Sequence, residues 1–355
     1  MATDSNQALV SFEQLQAFIA GALRQVGLPA ADADKVGTLM AQADLQGSDG
    51  HGVLRLPQYV KRIRAGGMNV RPEIRVVHEK PAMAVLDGDN GMGHLVVSRA
   101  VELAIEKARS AGVAWVGVRS SNHAGPASLY ARMPIEHDMI GLYFAVGNAN
   151  HLPPWGGMDM LLSTNPIAAG IPAGEEPPVV LDMATTVAAY GKVKAKAKAG
   201  EMMPVGWMID RKGQPLLDPK RSDEGLLLPI GGHKGYGLAL IVGLLAGTLQ
   251  GAAMGREVID FNKDHVSKTN TGQAILVIDL HAFGDPADFK ARVDTLVRDI
   301  RASERLEGVD RIWLPGEQSH LKRERYRQHG IPISPGVVAD LAALAAEIGI
   351  EPLLR

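Results

Sequence analysis

A chain of 355 residues with 37 basic and 39 acidic side chains has almost no net charge, so it lacks the cationic excess that a dedicated nucleic-acid binder needs. It contains no cysteine, which excludes disulfides, thiolate zinc sites and thiol nucleophiles. Its length and ordinary hydrophobic content suit a soluble α/β protein of two or three lobes, rich in glycine and poor in aromatics. The start, M-A-T-D-S-N-Q, has neither the basic segment nor the apolar run of a secretory leader, so a cytoplasmic setting is expected.

Ser11, with Gln14 three residues on, predicts a capping box that opens an amphipathic helix ending near Gly27. A second helix fits 30–46 and stops at Gly47. A third fits 52–65, with Pro57 early in it, where a missing N–H costs least. Short β-rich runs follow at 74–78, 84–87, 113–118, 140–146, 179–182 and 274–280. Between some of them lie helical patterns. One covers 95–110, and another covers 287–301, where Phe289, Val293, Leu296, Val297 and Ile300 share a face. The apolar run 236–248 is too short to span a bilayer, which takes about 20 residues, and reads as a buried core helix. Ser334-Pro335 opens a last helix toward Ile348.

Several segments carry chemistry. In 49–55, D-G-H-G-V-L-R, the spacing puts His51 and Arg55 about one helical turn apart on one face. A histidine that passes protons near neutral pH beside an arginine that grips carboxylates suits a substrate with a carbonyl or hydroxyl next to a carboxylate. The segment 91–96, G-M-G-H-L-V, follows a predicted strand and opens a helix. Val96 stands where a dinucleotide fingerprint needs its third glycine, so a conventional Rossmann site is not expected. The segment 231–237, G-G-H-K-G-Y-G, is better suited to a phosphate. Its glycines leave backbone N–H groups open at a helix start, with His233 and Lys234 beside them. Gly235, Ala239, Gly243 and Gly247 also form a small-residue ridge, so helix packing is a second use of the same glycines. His123 lies in a loop after a predicted strand, as active-site groups often do. The scattered histidines show no metal-ligand spacing, and no G-x-S-x-G elbow is present.

Read in order, these segments resemble the malate/L-lactate dehydrogenase family of NAD(P)-dependent oxidoreductases, which is distinct from the Rossmann-type lactate and malate dehydrogenases. The longest marker is 43–59, A-D-L-Q-G-S-D-G-H-G-V-L-R-L-P-Q-Y. Shorter ones are 121–125, 154–157, 164–166, 182–186, 191–192, 232–237 and 314–317, so the resemblance covers nearly the whole chain. It implies an α/β fold with a mixed, largely antiparallel cofactor-binding sheet, helical segments from both chain ends packed around it, and a homodimer.

The implied division is a helical segment 1–74 carrying the catalytic histidine, a dimerisation and substrate region of 75–115 with 285–355, and a cofactor-binding domain 116–284. By the same resemblance His51 is the acid/base for a 2-oxo or 2-hydroxy acid, Arg55 holds the substrate carboxylate, and Lys192 lies near the reacting centre. Lysine there favours a carbonyl over a cyclic imine. His123, Thr164, Asp182, Met183, Ala184, His233, Lys234, Gly316 and Glu317 match positions that contact NAD or NADP. The lysines at alternate positions in 192–198 could meet a 2′-phosphate or form a solvated face. Two positions depart from the family pattern: Gly50 stands where serine is usual before the histidine, and Ala124 where an aromatic is common. Both remove side-chain volume, which points to a substrate bulkier than pyruvate. Reduction of a cyclic imine carboxylate, oxidation of a sulfolactate and a catalytically silent dinucleotide-binding dimer are the alternatives.

Overall fold

A computed structural model describes residues 7–354 of the chain. The N-terminal segment read as lacking a secretory leader lies almost wholly outside the described residues, since residues 1–6 are not described. The frame is a seven-stranded sheet in the order Arg75–Lys80, Met83–Asp87, Val113–Ser121, Thr271–Asp279, Met139–Ala145, Ile167–Ile171 and Val179–Met183. Only Met83–Asp87 and Val113–Ser121 run parallel. The helix Gly93–Ala111 makes the crossover between them, because parallel neighbours cannot be joined by a tight turn. The remaining pairs are antiparallel, and the sheet is the mixed, largely antiparallel one expected.

Both chain ends build a second, helical core. Helices Phe12–Gln25, Ala30–Leu45, Leu56–Arg64 and Pro335–Ile348 bury Leu15, Leu23, Met40, Leu56 and Leu341 together. Each fully buried leucine of this kind contributes roughly 1.5–3 kcal/mol. The strand Ala8–Val10 pairs with Ile331–Ile333 and ties the two ends to each other. The capping box at Ser11 is present, with Gln14 N–H donating to Ser11 Oγ and Ser11 N–H to Gln14 Oε1, each at 3.1 Å.

Four points differ from expectation. The predicted helix 52–65 is a short 3-10 turn, Val53–Arg55, followed by the helix Leu56–Arg64. His51 lies in a bend before both, so it shares no helical face with Arg55. The apolar helix, His233–Ala246, is buried only along its small-residue side, through Gly235, Ala239, Val242, Gly243 and Ala246. Ile241 and Leu244 on its other side are 53% and 40% exposed, so it is not a core helix within one chain. On Pro286–Ala302 the apolar stripe is likewise open at Leu296 and Ile300, while Val297 is buried. The strand Ile167–Ile171 was not expected, because I-A-A-G-I has too little bulk to read as a β run. Gly170 is required there, since a Cβ would strike the Ala131 carbonyl. Among the described residues no helix is long and apolar enough to cross a membrane.

Candidate active site

The bend carrying His51 is fixed from below by Asp44, near the end of helix Ala30–Leu45. Its Oδ2 accepts the Val53 N–H at 2.7 Å, and Gly52 is obligatory because any Cβ would land on the Asp44 carboxyl group. Burial pushes the Asp44 carboxyl well above its usual range, against the opposing pull of the Val53 N–H. The His51 N–H donates to the Ser48 carbonyl at 2.8 Å. Arg55, at the junction of the 3-10 turn and the next helix, donates from Nε to the Gly50 carbonyl at 2.9 Å and from Nη1 to Asn262 Oδ1 at 3.1 Å. The structure thus brings His51 and Arg55 together by a tether rather than by helical periodicity.

His123 follows the strand Val113–Ser121 and meets His51 directly. Its Nε2 lies 3.3 Å from His51 Nδ1, with the two rings almost parallel at 11°. The loop that carries it is held by its neighbour. Asn122 Nδ2 donates to the Asn90 carbonyl at 3.0 Å, to Asn90 Oδ1 at 3.1 Å and to the Gly91 carbonyl at 2.9 Å. The Asn122 carbonyl accepts from Gln273 Nε2 at 2.9 Å, and its Oδ1 from Thr269 at 3.1 Å. The segment G-M-G-H is therefore structural in part, since it supplies acceptors for this loop.

The same segment contributes His94, which reasoning from the sequence passed over. It is completely buried, and neither ring nitrogen has a hydrogen-bond partner among the described residues. Tyr59, at the end of the marker 43–59, also escaped notice. It is completely buried, and its hydroxyl lies 2.5 Å from His123 Nδ1. Its place eight residues beyond His51 gave no periodic signal. Phe261 closes the cluster over His123 and Tyr59, with ring centroids 5.6 and 5.8 Å away. Gln58 Nε2 holds the Phe261 carbonyl at 2.7 Å, and the buried Arg62 donates to the carbonyls of Asp264 and Ser267.

Burial favours the uncharged form of each histidine. His51 is lowered from 6.5 to about 4 by burial first and by the Arg55 charge second. His94 falls to about 3 through burial and then His51. His123 is pushed well below its ordinary value, again chiefly by burial. Three neutral imidazoles, one phenol and one guanidinium therefore meet in one pocket, which suits donation of a single proton beside a held anion. Among the described residues no cluster of His, Asp and Glu has the arrangement of a metal site.

Most of the residues assigned to a cofactor lie in a second group of segments. The strands Ile167–Ile171 and Val179–Met183 pair so that Ala168 faces Asp182. Beyond their ends, Thr185 N–H and Oγ1 both donate to the Thr164 carbonyl, at 2.9 and 3.0 Å. Ile230 N–H donates to the Thr185 carbonyl at 3.0 Å, and this leads straight into Gly231, Gly232, His233 and Lys234. Asp182 Oδ2 accepts the Ser128 N–H at 2.8 Å and links this group to the loop after His123. Met183 and Ala184 are half-buried at the strand end. Gly231 and Gly232 have φ of 56° and 65°, and a Cβ at Gly231 would meet nothing within 4 Å. His233 and Lys234 are exposed on the first turn of the helix. A glycine cradle at a helix N-terminus with a lysine and a histidine beside it fits the pyrophosphate of a dinucleotide.

Gly316 and Glu317 are placed differently. Gly316 packs against Val180, and Glu317 is 4% exposed. The Glu317 carboxylate pairs with Arg311 at 2.5 Å and Arg301 at 3.0 Å and accepts the Leu314 N–H at 3.1 Å. Burial would raise its pKa, but these partners outweigh burial and hold it below the usual range. Its carboxylate is committed to the fold. Lys192 is exposed at the start of helix Tyr190–Ala199, and the hydrogen bonds around His51 and Arg55 do not extend to it.

A family model described as malate/L-lactate dehydrogenase matches residues 10–342. A malate dehydrogenase of Pyrococcus abyssi is 37% identical over 99% of this chain and 98% of its own. An L-sulfolactate dehydrogenase of Methanothermobacter thermautotrophicus is 36% identical over 96% of this chain and 98% of its own. The solved structure of malate dehydrogenase from Pyrococcus horikoshii superposes with a TM-score of 0.90 at 36% identity, covering 99% of each chain. By its match to the family model and to these relatives, the chain belongs to the malate/L-lactate dehydrogenase family.

Proposed function

We propose that the chain is a nicotinamide-dinucleotide-dependent oxidoreductase that interconverts a 2-oxo acid and a 2-hydroxy acid. The observation that carries this reading is the tether from Arg55 Nε to the Gly50 carbonyl, one residue before His51. It fixes an anion-binding group and a proton-bearing group in one rigid unit, with Nη2 of Arg55 and Nε2 of His51 left without partners among the described residues. In the reducing direction, Arg55 holds the substrate carboxylate, and His51 donates a proton to the carbonyl oxygen as C2 becomes tetrahedral. The reduced nicotinamide, when bound, supplies the hydride. His233, Lys234 and the backbone N–H groups after Gly231 would hold its phosphates, and Thr164, Asp182, Met183 and Ala184 would contact the rest of the dinucleotide. Phe261 covers one side of His123 and Tyr59. In the oxidising direction each step reverses.

Gly50 gives the substrate pocket room, since a Cβ there would meet nothing within 4 Å. Ala124 does not, because its methyl is buried in the sheet core. The proposal of a substrate bulkier than pyruvate therefore rests on Gly50. Lys192 and Lys194 are exposed on the helix that begins at Tyr190, whose ring stacks on His151 at 4.1 Å. This cationic helix favours a carbonyl substrate and can accept either NAD or NADP. The open apolar faces at Ile241 and Leu244 and at Leu296 and Ile300 support a homodimer, and the near-neutral charge suits a cytoplasmic protein without a nucleic-acid partner.

The test is a titration with both dinucleotides, followed by NAD(P)H oxidation over pyruvate, oxaloacetate, bulkier 2-oxo acids, a sulfonated 2-oxo acid and a cyclic imine carboxylate. Turnover of the imine alone would sink the carbonyl reading. Pyruvate leading in kcat/KM would sink the larger pocket. Tight dinucleotide binding with no turnover would mean a silent binding protein.

A further inference from the structure

A neutral imidazole carries one N–H, so the state of one ring nitrogen is set by what the other touches. At His123 that choice is made from outside the ring. The Gly125 backbone N–H points at Nδ1 from 3.4 Å, and a backbone amide can only donate. The Tyr59 hydroxyl lies 2.5 Å from the same nitrogen. Nδ1 is therefore an acceptor, Tyr59 O–H donates to it, and the His123 proton sits on Nε2. That Nε2–H faces His51 Nδ1 at 3.3 Å, so Nδ1 of His51 accepts in turn. The single proton of His51 is then on Nε2.

We infer that Tyr59 is a positioning residue that acts through His123 to keep the His51 proton on Nε2, the nitrogen left for the substrate oxygen. This deepens the function proposed above and rests on His51 being its proton donor. The phenol is well placed for such a role. It is completely buried and wedged edge-on between His94, at 5.6 Å and 84°, and Phe261, at 5.8 Å and 69°. Its hydroxyl has no other hydrogen-bond partner among the described residues. Burial keeps the phenol protonated and the histidines uncharged, the condition under which tautomer decides which nitrogen can donate. A tyrosine kept only for packing would be replaced without loss by phenylalanine.

The experiment joins spectroscopy to kinetics on the full chain. With ¹⁵N-labelled histidine at pH 7, His51 and His123 should each show a protonated Nε2 and a bare Nδ1. In Tyr59→Phe, His51 should become a mixture of both tautomers. Wild-type His51 protonated on Nδ1 overturns the inference, whatever the substrate. In steady state, Tyr59→Phe should lower kcat for 2-oxo acid reduction roughly 10- to 100-fold, with dinucleotide Kd changed by less than about twofold. An unchanged kcat, or equal losses in kcat and dinucleotide affinity, also overturns it. Should the wild-type protein turn over no 2-oxo acid, the functional reading fails, while the tautomer measurement still decides the role of Tyr59.

Discussion

The histidine pocket and the glycine cradle are built on opposite principles. Around His51, apart from the Arg55 guanidinium, the side chains are buried or half-buried, uncharged and joined to one another through His123 and Tyr59. Around Gly231 the backbone is open, and His233 and Lys234 face solvent. The first region is held by bonds among its own side chains, whereas the second leaves its donors open to water or to a ligand. Proton delivery depends on fixed distances and tautomers. Anion binding at a helix start tolerates looseness, because many backbone donors share the charge.

The contrast can be broken at its strongest point with His51→Ala. The expected result is a fall in kcat of roughly 10²- to 10⁴-fold with dinucleotide binding kept, measured by steady-state rates and a cofactor titration. Normal turnover would remove His51 from the chemistry. Gly52→Ala attacks the support instead. Its Cβ would strike the Asp44 carboxyl group, so urea unfolding should show a loss of about 2–4 kcal/mol.

Acid sharpens the comparison further. The folded values of His51 and His94 are about 4 and about 3, against an ordinary 6.5. Below pH 6.5 the unfolded chain binds protons that the folded one refuses. Stability contributed by these groups is thus complete above about pH 6.5 and declines progressively as pH falls toward their folded values. Replacing His94 by glutamine should flatten that decline by about one proton, or roughly 1.4 kcal/mol per pH unit. Unfolding curves at stepped pH would read it, and an unchanged slope would mean that His94 takes up its proton while folded.

At the cradle the effects are smaller. Lys234→Ala should raise dinucleotide Kd by about fivefold, less so at high salt, and leave kcat nearly unchanged. A large drop in kcat would place Lys234 in the chemistry. Smallest of all, Gly50→Ser should change stability by under about 0.5 kcal/mol, since its Cβ meets nothing. Thermal unfolding would check this, and the 2-oxo acid panel would show whether the added hydroxyl narrows substrate choice.

Much of this was legible in the residues. Alternation and capping signals placed six of the seven central strands and the main amphipathic helices, because bulk and periodicity mark half-buried elements. Ile167–Ile171 was lost because its small residues are set by close approach to the Ala131 carbonyl, a tertiary cause. The ordered motifs named His51, Arg55 and His123, and the structure brings these three together. Their coupling was not legible. His123 is 72 residues from His51, Tyr59 and His94 look like core positions, and Asn262 reaches Arg55 from 207 residues away. Local spacing also misled at 51–55, where a bend and a 3-10 turn replace the expected helix. The exposure of Ile241 and Leu296 had no local signal either, since an apolar stripe reads the same whether its cover is its own chain or another.

Asn122 has a consequence for motion. Loops that carry active-site residues commonly exchange their amide hydrogens quickly, because they open without unfolding the domain. Here one side chain clasps Asn90, Gly91 and Thr269, while its backbone carbonyl holds Gln273 of a central strand. Opening the loop at His123 breaks all of these bonds at once, so its deuterium uptake follows that of the central strands. The histidine pocket is not expected to breathe as a lid would. Access for the substrate is left to other segments that border the cleft.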